Sequence, residues 1–313
     1  FVSRGSMPPD TFGVVRFTGF EGLSTVYQFD IELISEDPAL DMNEVVQNPA
    51  RFTILREEGD IPFHGIPISF EQMHKVNDTV FYRVVLAPRL WWLSQTHHNQ
   101  IFLGKTVPEI LEEVLRDGGL TENDFELRLQ ADYRQWAYVC QYRESHLDFA
   151  SRWMEREGMY YFFEQDGARE KLIITDSNLS HLPMPQGKAM YYSPPSALDS
   201  LAREEVIKDF CCRQNTLPSS VRLKDYNYEK PSLSIEGLAD VYEEGRGEVY
   251  LYGDHFLTPE EGQRLAGIRA QEINCWERTY HGESTVPFLR PGFVLDLQDH
   301  YRKDFNRDYL AVE

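Results

Sequence analysis

The segment CQYRESHLDFASRWMEREGMYYFF, residues 140 to 163, constrains this chain most, because it sets a capped amphipathic helix against a run of aromatic residues with almost no linker. Ser145 followed by Asp148 is a variant capping box, whose side chains satisfy amides that the first helical turn leaves open. A helix therefore starts near His146, and Gly158 closes it. Leu147, Ala150, Trp153 and Met154 recur at helical spacing as one apolar face, while Arg152, Glu155 and Arg156 fall on the other. Tyr160 to Phe163 then reads as a strand. A turn at Gln165, Asp166 and Gly167 returns the chain into Leu172, Ile173 and Ile174, ending at Asp176, which makes a β-hairpin behind a helix.

Upstream the period is that of strands. Tyr27, Phe29, Ile31 and Leu33 alternate with Gln28, Asp30 and Glu32, and Phe52 to Leu55, Phe63 to Phe70 and Phe81 to Leu86 follow between turn-like clusters at Glu58–Asp60 and Asn77–Asp78. Residues 10–90 thus suit a small antiparallel barrel. From residue 91 the period changes: Thr106 with Glu109 is a full capping box, Ile110, Leu111, Val114 and Leu115 share a face, and Gly118 and Gly119 stop the helix. Residues 91–180 read as an α+β insert with two helices. The run LPMPQGKAMYYSPPSAL, 182 to 198, reads as a connection between lobes. Residues 181–313 return to strands, interrupted by a segment at about 232–284 whose helix runs from Thr258 and Pro259 to about Trp276. Arg51 to Leu55, a turn and Phe63 to Ser69 find a weak echo in Phe293 to Leu297, a turn and Tyr309 to Val312. The opening Phe1 to Ser6 has no initiator Met and reads as a remnant outside the fold.

Several ordered blocks carry a family resemblance: FTGFEGLSTVYQFDIELIS (17–35), FHGIPISF (63–70), YRVVLAPRLWWLSQTHHNQIFLGKTVPEILEEVL (82–115), the 140–163 segment, LKDYNYEKP (223–231) and PGFVLDLQDH (291–300). Together they resemble the hub portion of VgrG, the spike protein of type VI secretion systems, and its relatives in contractile phage tails. VYEEGRGEVYLYGDHF (241–256) follows the family pattern only loosely. The resemblance implies an α+β, mainly β fold with two similar antiparallel, tube-like β-barrel domains and α+β insertions, as in phage baseplate hubs. It implies a homotrimer whose six similar barrels turn threefold into pseudo-sixfold symmetry and dock on a hexameric tube protein (Hcp-like). Baseplate proteins and an effector or spike-tip protein are further partners it implies. In that family an OB-fold and a β-helical needle follow the hub, and both are expected to be absent here. The alternatives are a hub of a contractile phage tail or extracellular injection particle and, behind these, an enzyme or effector-fused spike.

Composition bounds the rest. A chain of 313 residues predicts about two domains. With 42% hydrophobic and 13% aromatic residues it is too apolar for disorder. No apolar run approaches the roughly 20 residues of a membrane helix, so stable membrane insertion is not expected. A formal charge of −20 argues against nucleic acid. It reads first as a solvated surface that keeps a large assembly soluble, and second as a partner surface or lumen of negative potential. Cys140, Cys211, Cys212 and Cys275 lack the paired spacing of a zinc site, and with no signal-like start the chain reads as made in the bacterial cytoplasm, then assembled at the envelope and ejected. Cys211 and Cys212 read as strand neighbours facing opposite sides.

Chemistry-bearing motifs were weighed and give way. Gly104-Lys105-Thr106 has the tail of a phosphate-binding loop, but Asn99 stands where its leading glycine belongs. No H-E-x-x-H or G-x-S-x-G occurs. His97-His98 reads as a polar loop pair, since neighbours do not converge on one ion. Glu155 and Glu157 point in different directions on their helix and read as solvated surface. Tyr160 to Phe163 reads as core strand rather than a stacking platform. The expectation is a binding surface with no catalytic, cofactor or metal residues.

Overall fold

The computed structural model describes residues 1–194 and 205–313. In chain order the first lobe holds β1 (Val2–Ser3), β2 (Gly13–Phe20), β3 (Gln28–Ser35), helix α1 (Met42–Val46), β4 (Ala50–Ile54), β5 (Ile61–Val76) and β6 (Thr79–Ala87). They form one six-stranded antiparallel sheet in the order β1-β4-β5-β6-β3-β2. The β5-β6 hairpin turns on Asn77 and Asp78 alone, with Asn77 at φ 55°. Asparagine tolerates the left-handed backbone that a two-residue hairpin requires. Phe29, Ile31 and Leu33 are buried as their alternation predicts, and Tyr27 with them. The sheet curls over these side chains: the Phe17 ring of β2 lies 4.6 Å from Phe52 of β4, and Phe29 lies 4.4 Å from Phe63. The opening residues are not outside the fold, because Val2 and Ser3 pair with Arg51 and Ala50 and the Phe1 ring packs edge-on against Phe12.

The insert holds β7 (His97–Phe102), α2 (Val107–Asp117), β8 (Phe125–Arg128), β9 (Val139–Ser145), α3 (His146–Glu157), β10 (Tyr160–Asp166) and β11 (Arg169–Thr175). Thr106 and Glu109 make the reciprocal capping box of α2, and Ser145 accepts the Asp148 amide at the start of α3. Gly158 ends α3 at φ 76°. The buried face of α3 holds Ala150, Trp153 and Met154 as expected and extends to Phe149. Phe149 is fully buried and stacks on Phe102, whereas Leu147 is half-buried. The hairpin turn is Gly167–Ala168, one pair later than expected, since Asp166 still pairs with Arg169. β10, β11 and β8 form one sheet, with β11 and β8 parallel.

The remainder holds β12 (Ala189–Tyr191), β13 (Ile207–Gln214), β14 (Ser220–Tyr226), β15 (Ser234–Asp240), β16 (Glu248–Tyr252), α4 (Pro259–Asn274), β17 (Arg278–Ser284), β18 (Val294–Gln298) and β19 (Asp308–Leu310). These strands form the sheets β12-β18-β19, β13-β17 and β15-β14-β16. The run read as a connection is partly strand, with Ala189–Tyr191 paired to Asp296–Gln298, and its residues 195–198 lie outside the described residues. The echoed segments are both antiparallel pairs, β4 with β5 and β18 with β19. Helix α4 stops at Asn274, short of Trp276.

Two apolar cores result. The larger runs from Phe12 through the insert to Phe305; the smaller, from Leu217 to Ala270, lies between α4 and the β14-β15 sheet. Strand β14, which precedes residue 232, supplies Val221 and Leu223 to the smaller core. Trp153 belongs to the larger core, edge-on to Trp136 at 4.9 Å. Trp153→Ala is expected to lower unfolding free energy by about 3–5 kcal/mol, measured by urea denaturation; an unchanged midpoint and slope would place this indole outside the core.

Candidate functional site

A buried cluster of charges lies at the joint between the two cores, where α3 meets α4. Ala150, Trp153 and Met154 turn inward, and the same period carries Glu157 inward with them. Its carboxylate is only 3% exposed and pairs with Arg264 of α4 at 2.7 Å, while Glu155, on the outer face, is 65% exposed. Glu157 is therefore not solvated surface, as the spacing argument had it. Arg156 is not on an open face either: it reaches Glu261 at 3.3 Å and donates to the Asp254 carbonyl. Arg134 closes the group on the other Glu261 oxygen at 2.6 Å and lies 3.7 Å over the Trp136 ring. Burial pushes the Arg134 and Arg156 guanidinium pKa values down, against the pull of Glu157 and Glu261. Charges taken out of water stay ionised only when paired, so this cluster holds together or fails as a unit.

A second polar cluster lies where the first lobe, the insert and the 286–292 segment meet. Arg290 is buried, donates to the Pro62 carbonyl at 2.8 Å and covers the Phe63 ring at 4.2 Å, with no ion-pair partner among the described residues. Next along β5, His64 bonds Gln165 of β10 through its amide and its ring, and Tyr27 donates to its carbonyl. Burial lowers the His64 pKa. Glu21 is pushed up to about 7 by burial, opposed by the charge of Arg290.

The motif residues weighed in the sequence are consumed structurally. Thr106 caps α2, Lys105 pairs with Glu113, and Gly104 takes a positive φ. His97 and His98 sit on β7, not in a loop, opposite Ser145 and Glu144. Among the described residues no group of three His, Cys, Asp or Glu side chains is placed to hold a metal. Tyr161, Phe162 and Phe163 are core, whereas Tyr160 is half-buried and bonds His181 at 2.8 Å. Burial, first of all, raises the Tyr160 phenol to about 12. All four cysteines are free thiols; Cys211 and Cys212 lie on β13, both exposed. A cleft of about 870 Å³ between α3, α4 and the turn after β11 is lined by Met154, Tyr160, Asp176, Ile268 and Cys275. Its Asp176 is already engaged by the amides of Gln130 and Ala131 and the Tyr133 hydroxyl. Sequence reasoning missed Glu157, Arg156, Arg290, Glu21 and His64. For Glu157 the signal was present, since 150, 153, 154 and 157 share a helical face; for the others the partners are remote in sequence.

What this molecule presents is a mainly β frame whose polar clusters fasten one part of the chain to another. The family model of the phage tail baseplate hub (GPD) matches residues 20–313, and the chain belongs to that family. It is 31% identical over 301 residues to the type VI secretion system spike protein VgrG1b of Pseudomonas aeruginosa, covering 95% of this chain and 40% of that protein. It is 30% identical to the actin cross-linking toxin VgrG1 of Vibrio cholerae over 97% of this chain and 28% of that protein. The chain thus spans well under half the length of these relatives. Among solved structures it resembles the E. coli c3393 protein, a type VI secretion component described as similar to the T4 bacteriophage tail proteins gp27 and gp5. The TM-score is 0.72 at 22% identity, covering 96% of this chain and 68% of that one.

Two measurements probe these clusters. Arg264→Ala leaves the buried Glu157 carboxylate without its hydrogen-bonded partner and is expected to cost about 3–5 kcal/mol in chemical denaturation, with Glu157→Ala/Arg264→Ala costing less than the sum of the singles. Glu21 keeps its proton to about 7 in the folded chain against 4.5 in the unfolded one. The folded state then binds more protons across that window, so Glu21 makes stability fall as pH rises through it. Glu21→Gln is expected to flatten that fall in a pH series of melting temperatures; an identical slope would remove Glu21 from the account.

Proposed function

We propose that this chain is the hub of a VgrG-like trimeric spike at the tip of a contractile injection machine. The carrying observation is that the hub-family match and the likeness to VgrG spike proteins both run across almost the whole chain. In this reading two barrel-like lobes per chain, residues 10–90 and 181–313 around the 91–180 insert, give a trimer six similar units. Six units match the symmetry of a hexameric, Hcp-like tube, with baseplate proteins around it and an effector or tip protein as cargo. Strand β2 supports assembly: it is an edge of its sheet, all its residues are exposed, and it carries Val14, Val15, Phe17 and Phe20. Such an edge invites aggregation unless another chain covers it, and closed cyclic symmetry covers it without leaving a new one.

In this reading the hub makes and breaks no bonds; it transmits force when the machine contracts and the spike punctures a target membrane. It would be made in the cytoplasm and ejected with the spike. None of the helices among the described residues is long and apolar enough to cross a membrane. A hub in a contractile phage tail is the second reading, favoured by the family itself and by the phage likeness noted for the E. coli protein. Light scattering of the purified chain is expected to give a trimer mass. Phe20→Lys is expected to raise the concentration at which the trimer dissociates by about ten-fold or more. A monomer at every concentration, alone and with tube protein, would contradict the proposal.

A further inference from the structure

The outer face of the β15-β14-β16 sheet gathers several exposed tyrosines. Its inner face packs Val221, Leu223 and Ile235 against α4, so the alternate residues of β14 point outward. The registers then set Arg222 between Tyr250 and Leu238, and Lys224 between Tyr252 and Glu236, with Tyr226 next along β14. Tyr226, Tyr228, Tyr250 and Tyr252 are 54%, 68%, 51% and 63% exposed. Among the described residues, none of these rings contacts another aromatic ring and none of the hydroxyls is hydrogen bonded. Rings two residues apart on a strand stand about 7 Å apart on one face, so Tyr250 and Tyr252 form a row that Tyr226 extends.

Between the rings runs an ion-pair ladder. Glu248 pairs with Arg222 at 3.0 Å, Arg222 with Glu236 at 3.4 Å, and Glu236 with Lys224 at 2.9 Å. The ladder's two cations and two carboxylates cancel, and exposed Asp240, opposite Ser220 on the same face, adds one more carboxylate, so a nucleic acid would lack the free cations it requires. A protein seated here would strip water from four half-exposed charges, a cost seldom recovered. A neutral, hydroxyl-rich ligand avoids both penalties. Its hydroxyls replace water on the ladder, and its apolar ring faces lie on the tyrosines.

We infer that this sheet face is a binding platform for a neutral polysaccharide, a chain of pyranose rings stacked along Tyr250, Tyr252 and Tyr226 and hydrogen-bonded to the Arg222–Glu236–Lys224 ladder. The test is calorimetric titration of the full chain with chitohexaose and with cellohexaose. Binding of the first alone points to an N-acetylated cell-wall glycan, and of the second alone or both to a surface polysaccharide recognised by its rings. Tyr250→Ala/Tyr252→Ala is expected to weaken binding by about ten-fold or more. Tyr250→Phe/Tyr252→Phe keeps the rings and is expected to retain most of the affinity, which separates lost stacking from lost folding. Tyr142→Ala, at an exposed tyrosine elsewhere, is expected to change nothing. Three results would overturn the assignment: no saturable binding of either hexasaccharide at millimolar concentration, binding that survives the double alanine variant, or protection of Tyr250 and Tyr252 from hydroxyl-radical oxidation on subunit assembly, which marks a protein-covered face.

Discussion

The pairing of Glu157 and Glu261 with Arg134, Arg156 and Arg264 is the contact on which the relation between the two cores depends. The smaller core has its own sheet and helix, and the hydrophobic term that holds it to the insert is non-directional and sets no register by itself. Charges are not indifferent. Arg156 must meet Glu261 while Arg264 meets Glu157, and a shift of one turn along α4 would strand buried charges at a cost of several kcal/mol. Glycines allow the close approaches: a Cβ at Gly158, where α3 ends, would meet Ile268 of α4 at 3.1 Å, and within the smaller unit one at Gly237 of β15 would run into the Gly262 carbonyl of α4. The cluster thus supplies orientation to an interface that apolar area supplies with energy.

Strand β10 fastens the other parts by different means. Phe163 meets Tyr27 of the first lobe edge-on at 4.9 Å, Phe162 meets Phe293 of the last segment at 6.1 Å, and Gly292 at φ 89° sits where a Cβ would strike the Phe162 ring. A hairpin of the insert is therefore in contact with both the start and the end of the chain. The larger core is continuous through all three regions, so the insert is the keystone of the frame, and the aromatic run that opens the reading of the sequence is that keystone's centre.

Much of this was legible in the residues. Period-two alternation located β3, capping boxes located α2 and α3, and Thr258–Pro259 located α4, because each signal is local and each is realised by neighbours along the chain. What was not legible depends on partners far away in sequence. Glu157 and Arg156 look like ordinary helix surface until α4 arrives from a hundred residues downstream. Leu147 packs against the core only partly, while Phe149, which the expected face left out, is buried because Phe102 of β7 offers it a ring to stack on. The strand within 182–198 escaped because three residues, Ala189–Tyr191, are too few to show a period, and only their ladder with β18 defines them. The same limit applied to the joint: its polar residues carry no motif, since their chemistry is mutual pairing and not reaction.

As the proposed hub of a contractile machine, the chain would meet opposing requirements. It must not yield along the axis of force, yet it must offer surfaces to several neighbours. Here the two demands fall on different regions. The larger core is bound by long antiparallel ladders, aromatic contacts and remote ion pairs such as Arg89 with Asp124, and Arg128 with Glu164 at 2.6 Å. Breaking such a frame requires the cooperative loss of many contacts at once. The smaller unit touches it chiefly through one polar joint and carries its exposed tyrosines on the face turned away from α4. Interactions made on that face load the joint, whose charges are costly to separate, before they reach the core.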